Sequence, residues 1–213
     1  MEIPTLADRL ELMIVTSPRP RCGQPLRDVV DECLEAGATA VELRDEQATS
    51  RELYGRAREL VPVVRRHGAL FLVNDRLDVA RAVVADGVHL GPEDPPLADV
   101  RRRVPDDFVL GYSTDDPGEA RRAAEDGADY LGVGAVYGTA TKADAADERI
   151  GPERVAEVLE AAGLPGVGIG GIDESNAGEV AARGAGIAVS SAVMDAPRPA
   201  EAVRRLREAI AGS

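Results

Sequence analysis

Two aspartates occupy positions from which they could share a divalent cation. Asp75 directly follows a β-like run that ends at Asn74, and Asp94 lies just past the next such run. Mg²⁺ prefers one or two carboxylates together with water and phosphate oxygens, and the chain has no Cys or His spacing of the kind that zinc requires. The alternative is that both aspartates cap helices, since Asp75 precedes a helical segment and Asp94 precedes prolines. The residues alone leave both interpretations open.

A short loop, "GTATK", carries groups suited to phosphate oxygens. Thr139 and Thr141 supply hydroxyls, and Lys142 supplies an ammonium group. Lys142 is the only lysine of the chain, in which Lys and Arg together number 25. A compact, mobile charge in a Gly/Thr loop favours phosphate binding, although such a sequence is also compatible with an ordinary polar loop.

A glycine-rich run, "GVGIGG" at Gly166–Gly171, satisfies the G-x-G-x-x-G pattern of dinucleotide-binding turns. That function requires the pattern in a first βαβ unit, whereas here it falls on the seventh predicted strand. In a (β/α)₈ barrel, the loops after strands seven and eight commonly hold a phosphate group. The predicted phosphate-binding residues are therefore Gly170, Gly171, Ser190 and Ser191.

The histidines and cysteines suggest structural roles. His89 lies within the run "GVHLG" and is interpreted as structural, and His67 is interpreted as a contact at a helix C-terminus. Neither has an obvious nucleophile beside it in the sequence, so a Ser-His-Asp hydrolase is not predicted. Cys22 and Cys33 are the only cysteines and are expected to be free thiols.

The elements that must position these residues alternate regularly along the chain. Apolar spacing near 3.6 residues predicts helices at Ser50–Arg66, Pro152–Ala162 and Pro199–Ile210, with Ser50 as an N-cap and Pro152 in a first turn. Between the helical segments lie eight β-like runs, and eight βα units without a break predict an α/β fold, a single (β/α)₈ barrel over residues 1–213. The runs are Glu11–Thr16, Thr39–Arg44, Ala69–Asn74, Gly87–Leu90, Phe108–Ser113, Tyr130–Val136, Gly166–Gly170 and Gly186–Ser191.

In such a barrel the carboxyl ends of the strands form the functional face. Besides the residues already named, this face is predicted to present Glu42, Arg44, Asn74 and Ser113.

Composition limits the kinds of partner. The formal net charge is −13 at pH 7, which argues against binding to nucleic acid or to an anionic membrane. No apolar run is long enough to cross a bilayer, and the N-terminus has no signal-peptide pattern. The sequence predicts a cytoplasmic enzyme that acts on small phosphorylated molecules. A homo-oligomer is compatible with it.

Long stretches of the chain resemble the thiamine-phosphate synthase family. The resemblance covers nearly the whole chain, and its two longest stretches are specific. The matching phrases are "VELRD" at Val41–Asp45, "NDRLDVARAVVADGVHLGPED" at Asn74–Asp94, "GYS" at Gly111–Ser113, "GADYLGVGAVYGTATK" at Gly127–Lys142, "GIGGI" at Gly168–Ile172 and "AVSSAV" at Ala188–Val193.

The resemblance implies a (β/α)₈ barrel transferase that joins an aminomethyl-pyrimidine diphosphate to a hydroxyethyl-thiazole phosphate and releases pyrophosphate. It implies Mg²⁺ as the cofactor, with Asp75 and Asp94 as its ligands. By position, the substrate-binding residues would be Glu42, Arg44, Asn74, Ser113, Thr139, Thr141, Lys142, Gly170, Ser190 and Ser191. Of these, Arg44, Ser113 and Lys142 would act on the diphosphate as it leaves.

The chain departs from the family pattern at a few positions. Glu42 replaces a usual Gln, Glu46 replaces a usual Lys, and Pro92 and Ala135 replace a usual Gln and Pro. Glu46 places an anion where the family has a cation that faces the diphosphate, so weakened diphosphate binding is expected.

Two alternatives accompany the synthase hypothesis. A related branch, the thiazole tautomerases, uses a histidine shortly after the fifth strand, where this chain has "GYSTDDP" with Asp115 near that place. The other alternative is a non-catalytic barrel that only binds phosphates of the thiamine pathway.

Overall fold

The eight predicted strands form one closed parallel barrel in which each strand pairs with the next and β8 pairs with β1. The structure is a computed structural model that describes residues 4–138 and 149–212. Each strand lies within its predicted run, and most runs lose one or two residues at their ends. The strands are β1 Leu12–Val15, β2 Ala40–Leu43, β3 Leu70–Asn74, β4 Gly87–Leu90, β5 Val109–Ser113, β6 Tyr130–Gly134, β7 Gly166–Ile169 and β8 Gly186–Val189.

Helices follow the strands and cover the outside of the barrel. The three predicted helices are confirmed to within one residue at each end. The helices of the described residues are α1 Leu6–Arg9, α2 Leu26–Glu35, α3 Ser50–Arg66, α4 Leu77–Val83, α5 Leu97–Arg101, α6 Pro117–Glu125, α7 Gly151–Ala162, α8 Ala177–Ala181, α9 Ser191–Met194 and α10 Pro199–Ala211. Within these described ranges, no helix is both long enough and apolar enough to span a bilayer.

The start of α3 corrects one sequence prediction. Thr49, not Ser50, is the N-cap: its hydroxyl accepts a hydrogen bond from the Glu52 amide at 3.3 Å. In return, the Glu52 carboxylate accepts a bond from the Thr49 amide at 2.9 Å. This reciprocal capping box satisfies two amides that the helix itself leaves without acceptors, and Thr49 provides it because Glu52 is three residues away.

Alternation along the strands divides the apolar residues into two layers. Leu12 and Ile14 of β1 belong to the large core between the barrel wall and the helices, whereas Met13 belongs to a smaller core inside the barrel. Leu70 and Tyr130 also lie in the inner core. Successive side chains of a strand point to opposite faces, so one strand contributes to both cores.

The same alternation directs polar side chains into the upper part of the barrel lumen. Glu42 is two residues after the inward Ala40, and Asn74 is two residues after the inward Leu72. His89 and Ser113 are on the inner face as well, because their side chains hydrogen-bond within the lumen. Four of the predicted strands therefore bring polar groups to one end of a largely apolar interior.

Glycine at position 111 makes room for two of these side chains. A Cβ atom at Gly111 would lie 2.3 Å from the Tyr130 ring and 2.5 Å from Nδ1 of His89. Contacts that close require the rings to move, in a lumen where both side chains are buried. The glycine therefore determines which rings the lumen can hold.

We expect Gly111→Ala to lower the free energy of unfolding by about 1–3 kcal/mol, because it overpacks the lumen. The control is Gly55→Ala within α3, where an added Cβ meets no atom within 4 Å. Alanine is the better helix former, so this control should gain about 0.5–1 kcal/mol. Urea denaturation measures both changes, and equal stability of the two variants would contradict the overpacking argument.

Candidate functional site

The structure gathers the predicted site residues of the described ranges at the carboxyl end of the barrel. Asn74 and Ser113 are the last residues of β3 and β5, and Arg44 directly follows β2. Gly170 follows β7, and Ser190 follows β8. Because all strands are parallel and the barrel is closed, these positions surround one opening.

The two aspartates lie at this opening, in the turns that follow β3 and β4. Asp75 has a φ of 59°, which is uncommon for a residue other than glycine, and its amide donates to the His89 carbonyl at 2.8 Å. Asp94 accepts a hydrogen bond from the Gly91 amide at 2.7 Å. The capping alternative was wrong, because the N-cap residues of α4 and α5 are Arg76 and Pro96.

Asp75 and Asp94 face one another closely enough to alter protonation. The pKa of Asp75 is raised to about 6 by burial, by the charge of Asp94 and by a hydrogen bond with Asp94. Arg44 acts in the opposite direction, and Glu42 adds to the increase. Asp75 is exposed as a residue, yet its carboxyl group is surrounded by enough protein and negative charge to retain a proton more strongly than in water. A carboxylate pair of this kind suits a bound cation.

Arg44 is held between the barrel wall and Glu46. Its amide donates to Oγ1 of Thr16 at 3.1 Å, which ties the end of β2 to the end of β1. Its guanidinium Nε donates to Oε1 of Glu46 at 3.1 Å, and Nη2 contacts the same oxygen. The Arg44 side chain is only 16% exposed, whereas that of Glu46 is 62% exposed. Glu46 thus approaches Arg44 from the solvent side and neutralises it.

Asp45, which lies between Arg44 and Glu46, anchors the loop between β2 and α3. Asp45 has a side chain that is 4% exposed and forms an ion pair with Arg56 of α3. Its Oδ1 accepts hydrogen bonds from the amides of Gln47 and Ala48, both at 3.1 Å. Arg44 and Glu46, which form a charged rim, therefore lie on a loop that the ion pair of Asp45 and Arg56 holds against α3.

Glu42 is an acidic side chain inside the barrel. It is 5% exposed, and its charge adds to the increase in the pKa of Tyr130 as well as that of Asp75. The sequence placed this residue among the substrate-binding groups, and the structure places it in the lumen below Arg44. Its negative charge makes the opening more acidic than the glutamine that the family usually carries there.

A buried chain of hydrogen bonds leads to Ser113. His89 Nδ1 lies 2.7 Å from the Tyr130 hydroxyl, and His89 Nε2 lies 2.8 Å from Oγ of Ser113. Ser113 is 24 positions from His89 in the sequence, so sequence adjacency did not indicate this contact. The third member is a phenol and not a carboxylate, so the arrangement is not a Ser-His-Asp triad. Strand alternation, which places His89 on the inner face, was the available sequence signal.

The loops after β6 and β7 pack against each other. The Tyr137 amide donates to the Gly170 carbonyl at 3.0 Å, and a Cβ atom at Gly171 would lie 2.8 Å from the Gly138 carbonyl oxygen. Gly170 and Gly171 both have positive φ values, 100° and 67°. Thr139, Thr141 and Lys142 lie outside the described residues. Gly138, the last described residue before them, lies beside these two glycines.

Ser190 and Ser191 flank the start of the short helix α9, at the end of β8. Ser190 is its N-cap residue, and its side chain makes no capping hydrogen bond. The dinucleotide alternative for "GVGIGG" does not suit this position, because the run occupies β7 and the turn after it, late in a closed barrel.

A separate group of metal-binding residue types lies elsewhere. Asp31, Glu35 and His67 have ligand atoms within 4.8 Å of one another. They stand at the C-terminal ends of α2 and α3, so they belong to the opposite end of the barrel from the strand carboxyl ends. Arg66 already occupies both oxygens of Asp31, at 2.5 and 2.6 Å. His67 is the C-cap of α3, as predicted, and its Nε2 also contacts Asp31 at 2.7 Å.

The cysteines are consistent with the sequence prediction. Cys22 and Cys33 are both free thiols. Burial raises the pKa of Cys33 to about 12, so its thiol stays protonated and unreactive at neutral pH.

Comparison with known proteins agrees with the architecture. A sequence model of a family described as thiamine monophosphate synthase matches residues 12–193. The thiamine-phosphate synthase of Natronomonas pharaonis is 44% identical over 201 residues, covering 93% of this chain and 94% of the relative. That of Moorella thermoacetica is 44% identical over 201 residues, covering 94% of this chain and 95% of the relative.

A solved structure supports the same relationship. The thiamine phosphate pyrophosphorylase from Pyrococcus furiosus superposes with a TM-score of 0.88 at 41% sequence identity and covers 98% of both chains. The similarity thus extends over the barrel and over every strand end that carries a candidate site residue. On these grounds the chain belongs to the thiamine monophosphate synthase family.

Proposed function

We propose that the chain is a thiamine-phosphate synthase, a transferase that joins 4-amino-2-methyl-5-hydroxymethylpyrimidine diphosphate to hydroxyethylthiazole phosphate and releases pyrophosphate. The observation that carries the proposal is the carboxyl pair of Asp75 and Asp94, beside Arg44, at the opening of a barrel of this family. Relatives that share nearly the full length are named as synthases.

The alternatives have weaker support. Asp115 stands where a tautomerase would need its histidine, and it is an exposed residue outside the strand. The non-catalytic alternative is disfavoured by the relatives, which share nearly the full length and are named as synthases.

Mg²⁺ is the proposed cofactor, with Asp75 and Asp94 as its protein ligands. Hard oxygen ligands and two carboxylates fit this ion, and phosphate oxygens of the substrate would complete its coordination. When bound, the ion supplies positive charge to the diphosphate. Its charge would also offset the burial and the negative charge of Asp94 that raise the pKa of Asp75.

The diphosphate is proposed to bind to Arg44, Asn74, Ser113 and Lys142, with Glu42 beneath them. As the C–O bond to the pyrimidine methylene breaks, its electron pair leaves with the pyrophosphate and negative charge builds on the leaving oxygens. Donors fixed at those oxygens bind the transition state more tightly than the ground state. The electron-rich pyrimidine supports the cationic methylene, which the thiazole nitrogen captures in a new C–N bond, so no protein base is required.

The thiazole phosphate is proposed to bind across the loops after β6, β7 and β8. The residues of this second site are Thr139, Thr141, Gly170, Ser190 and Ser191. The packing of Gly170 and Gly171 against Gly138 supports it, because Gly138 directly precedes Thr139 in the chain. Backbone amides in glycine-rich loops can approach phosphate oxygens closely.

We propose that residues 1–213 act as one barrel domain in the cytoplasm. The proposed substrates are charged phosphate esters, which do not cross a bilayer unaided, so an enzyme that uses them would work in the compartment that contains them. A homo-oligomer remains a prediction.

Synthase activity is expected when the pyrimidine diphosphate and the thiazole phosphate are mixed with the protein and Mg²⁺. Lys142→Ala should lower the rate of thiamine phosphate formation by about 100-fold, a typical loss when one charged donor to a leaving group is removed. The control is Arg204→Ala on α10, which removes an exposed cation and should leave the rate unchanged. Absence of product at high protein concentration would exclude the proposed function.

Mg²⁺ binding should depend on pH through Asp75. The pKa of this carboxyl group is raised to about 6, so the ligand is ionised above that pH and protonated below it. Protons then compete with the cation, and the affinity should fall by up to about tenfold per pH unit below pH 6 while staying level above it. Calorimetric titration of Mg²⁺ into the protein without pyrophosphate, which would itself bind Mg²⁺ and take up protons, measures this dependence.

Asp75→Asn should abolish both the binding and its pH dependence. Asp78→Asn is the matched control, because Asp78 is an exposed carboxylate three residues away that pairs with Arg76. Unchanged Mg²⁺ affinity in Asp75→Asn would show that the ion binds elsewhere.

Glu46 should weaken diphosphate binding, because it neutralises Arg44. Glu46→Lys and Glu46→Gln are expected to tighten the binding of the pyrimidine diphosphate several-fold, and the gain should shrink in high salt, since the pair is partly exposed. Glu160→Gln, an exposed carboxylate on α7, controls for net charge. If both Glu46 variants bind the diphosphate with wild-type affinity, the acidic residue does not oppose the ligand.

A further inference from the structure

The chain from Tyr130 through His89 to Ser113 links the middle of the lumen to the proposed leaving-group site. The three side chains come from the neighbouring strands β6, β4 and β5 and are joined by contacts of 2.7 and 2.8 Å. Tyr130 is fully buried, and His89 is 8% exposed. Ser113 lies at the strand end and is the one member of the chain that approaches the opening.

The barrel wall is shaped around these rings. A Cβ atom at Gly132 would lie 2.9 Å from Cε1 of His89, and one at Gly111 would lie 2.3 Å from the Tyr130 ring. The two rings are tilted by 43° with centroids 5.4 Å apart. Leu70, Leu72 and other apolar side chains fill the lumen elsewhere without polar atoms. Packing alone therefore does not require an imidazole and a phenol here, and each must keep a hydrogen-bond partner to be tolerated.

We infer that His89 and Tyr130 are positioning residues that orient the hydroxyl of Ser113 as a donor to the diphosphate leaving group. In this order the Tyr130 hydroxyl donates to Nδ1 of His89, and Nε2–H of His89 donates to Oγ of Ser113. The Ser113 proton is then left to point toward the opening. The inference rests on the proposed function, since it assigns what the hydroxyl does there.

The reverse order of hydrogen bonds would prevent Ser113 from donating to the diphosphate. If Nδ1–H of His89 donated to Tyr130, Nε2 would accept the Ser113 proton, and Ser113 could offer only lone pairs to an anionic diphosphate. Burial and the charge of Glu42 raise the pKa of Tyr130 well above its usual value, so the phenol stays protonated in either order. The tautomer of His89 is what distinguishes the two orders.

The chain can be altered without touching the aspartates. Asp75 is linked to His89 by a backbone hydrogen bond, in which the Asp75 amide donates to the His89 carbonyl at 2.8 Å. Substituting the His89 or Tyr130 side chain therefore leaves that hydrogen bond in place. An effect of such variants on the rate would arise through Ser113.

The kinetic test uses Tyr130→Phe and His89→Gln. Each should lower kcat by about tenfold, the worth of one well-placed hydrogen bond, while KM for the pyrimidine diphosphate changes by less than about threefold. Tyr112→Phe is the matched control, because it removes a phenol from a side chain on the same strand as Ser113 that packs toward the outer core. This control should retain wild-type kcat.

A double-mutant cycle tests whether Tyr130 acts through Ser113. Tyr130→Phe/Ser113→Ala should be no slower than Ser113→Ala, because the hydroxyl to be oriented is already gone. Losses that multiply in the double variant would overturn the inference, as would wild-type kcat in both Tyr130→Phe and His89→Gln.

A spectroscopic test is independent of turnover. The chain has only two histidines, so ¹⁵N NMR with His67→Gln assigns the His89 signals without ambiguity. The Nε2–H tautomer is expected in the wild type, and its preference should weaken in Tyr130→Phe. The Nδ1–H tautomer would overturn the inference. A wild type that forms no thiamine phosphate would instead contradict the proposed function, and the tautomer would still decide the order of the chain.

Discussion

The fixed volume of the barrel lumen is the constraint on which the rest of the site depends. Eight parallel strands enclose an interior that side chains must fill, so a large ring on one strand requires a small residue on its neighbour. Tyr130 and His89 fit because Gly111 and Gly132 leave the opposing positions empty. Ser113 then meets an imidazole rather than a packed apolar wall. Glycines on β5 and β6 thus decide whether the lumen beside Ser113 can hold polar rings.

Electrostatics at the opening follow from the same arrangement. Glu42, Asp75 and Asp94 converge near Arg44, and the charges act on one another strongly enough to raise the pKa of Asp75. An excess of carboxylates repels an anionic substrate unless a cation accompanies it. The formal net charge of −13 has the same sign, so a cation bound at this carboxyl pair, as proposed for Mg²⁺, would offset that repulsion.

Much of this architecture was predictable from sequence because its signals are local. Eight apolar runs with helical segments between them fix the fold class, and parallel strands place Asn74 and Ser113 at one end. Strand ends were overestimated, since residues such as Arg44 continue a β-like pattern after strand pairing has ended. The N-cap of α3 was displaced by one residue because Ser50 and Thr49 are both good caps and only the spacing to Glu52 distinguishes them.

The contacts that were missed depend on register between strands. His89 and Ser113 are 24 positions apart, and they meet only because β4 and β5 pair with a particular offset. The residue pattern within β4 or within β5 does not reveal how the two strands are offset from each other. The pairing of Glu46 with Arg44 was missed for another reason: resemblance indicated which residue was substituted but not that a neighbour could turn to neutralise it.

The anchoring of Asp45 by Arg56 has a consequence for how such a protein can diverge. The ion pair of the buried Asp45 carboxylate with Arg56 holds the β2–α3 loop to α3, while Glu46, the next residue, is mostly exposed. Exposed ion pairs contribute about 0–1 kcal/mol, so position 46 can change sign with little effect on folding. Lumen positions such as Gly111 have no such freedom. Substitutions at position 46 can therefore change ligand affinity during evolution, while the lumen residues, and with them the fold, stay the same.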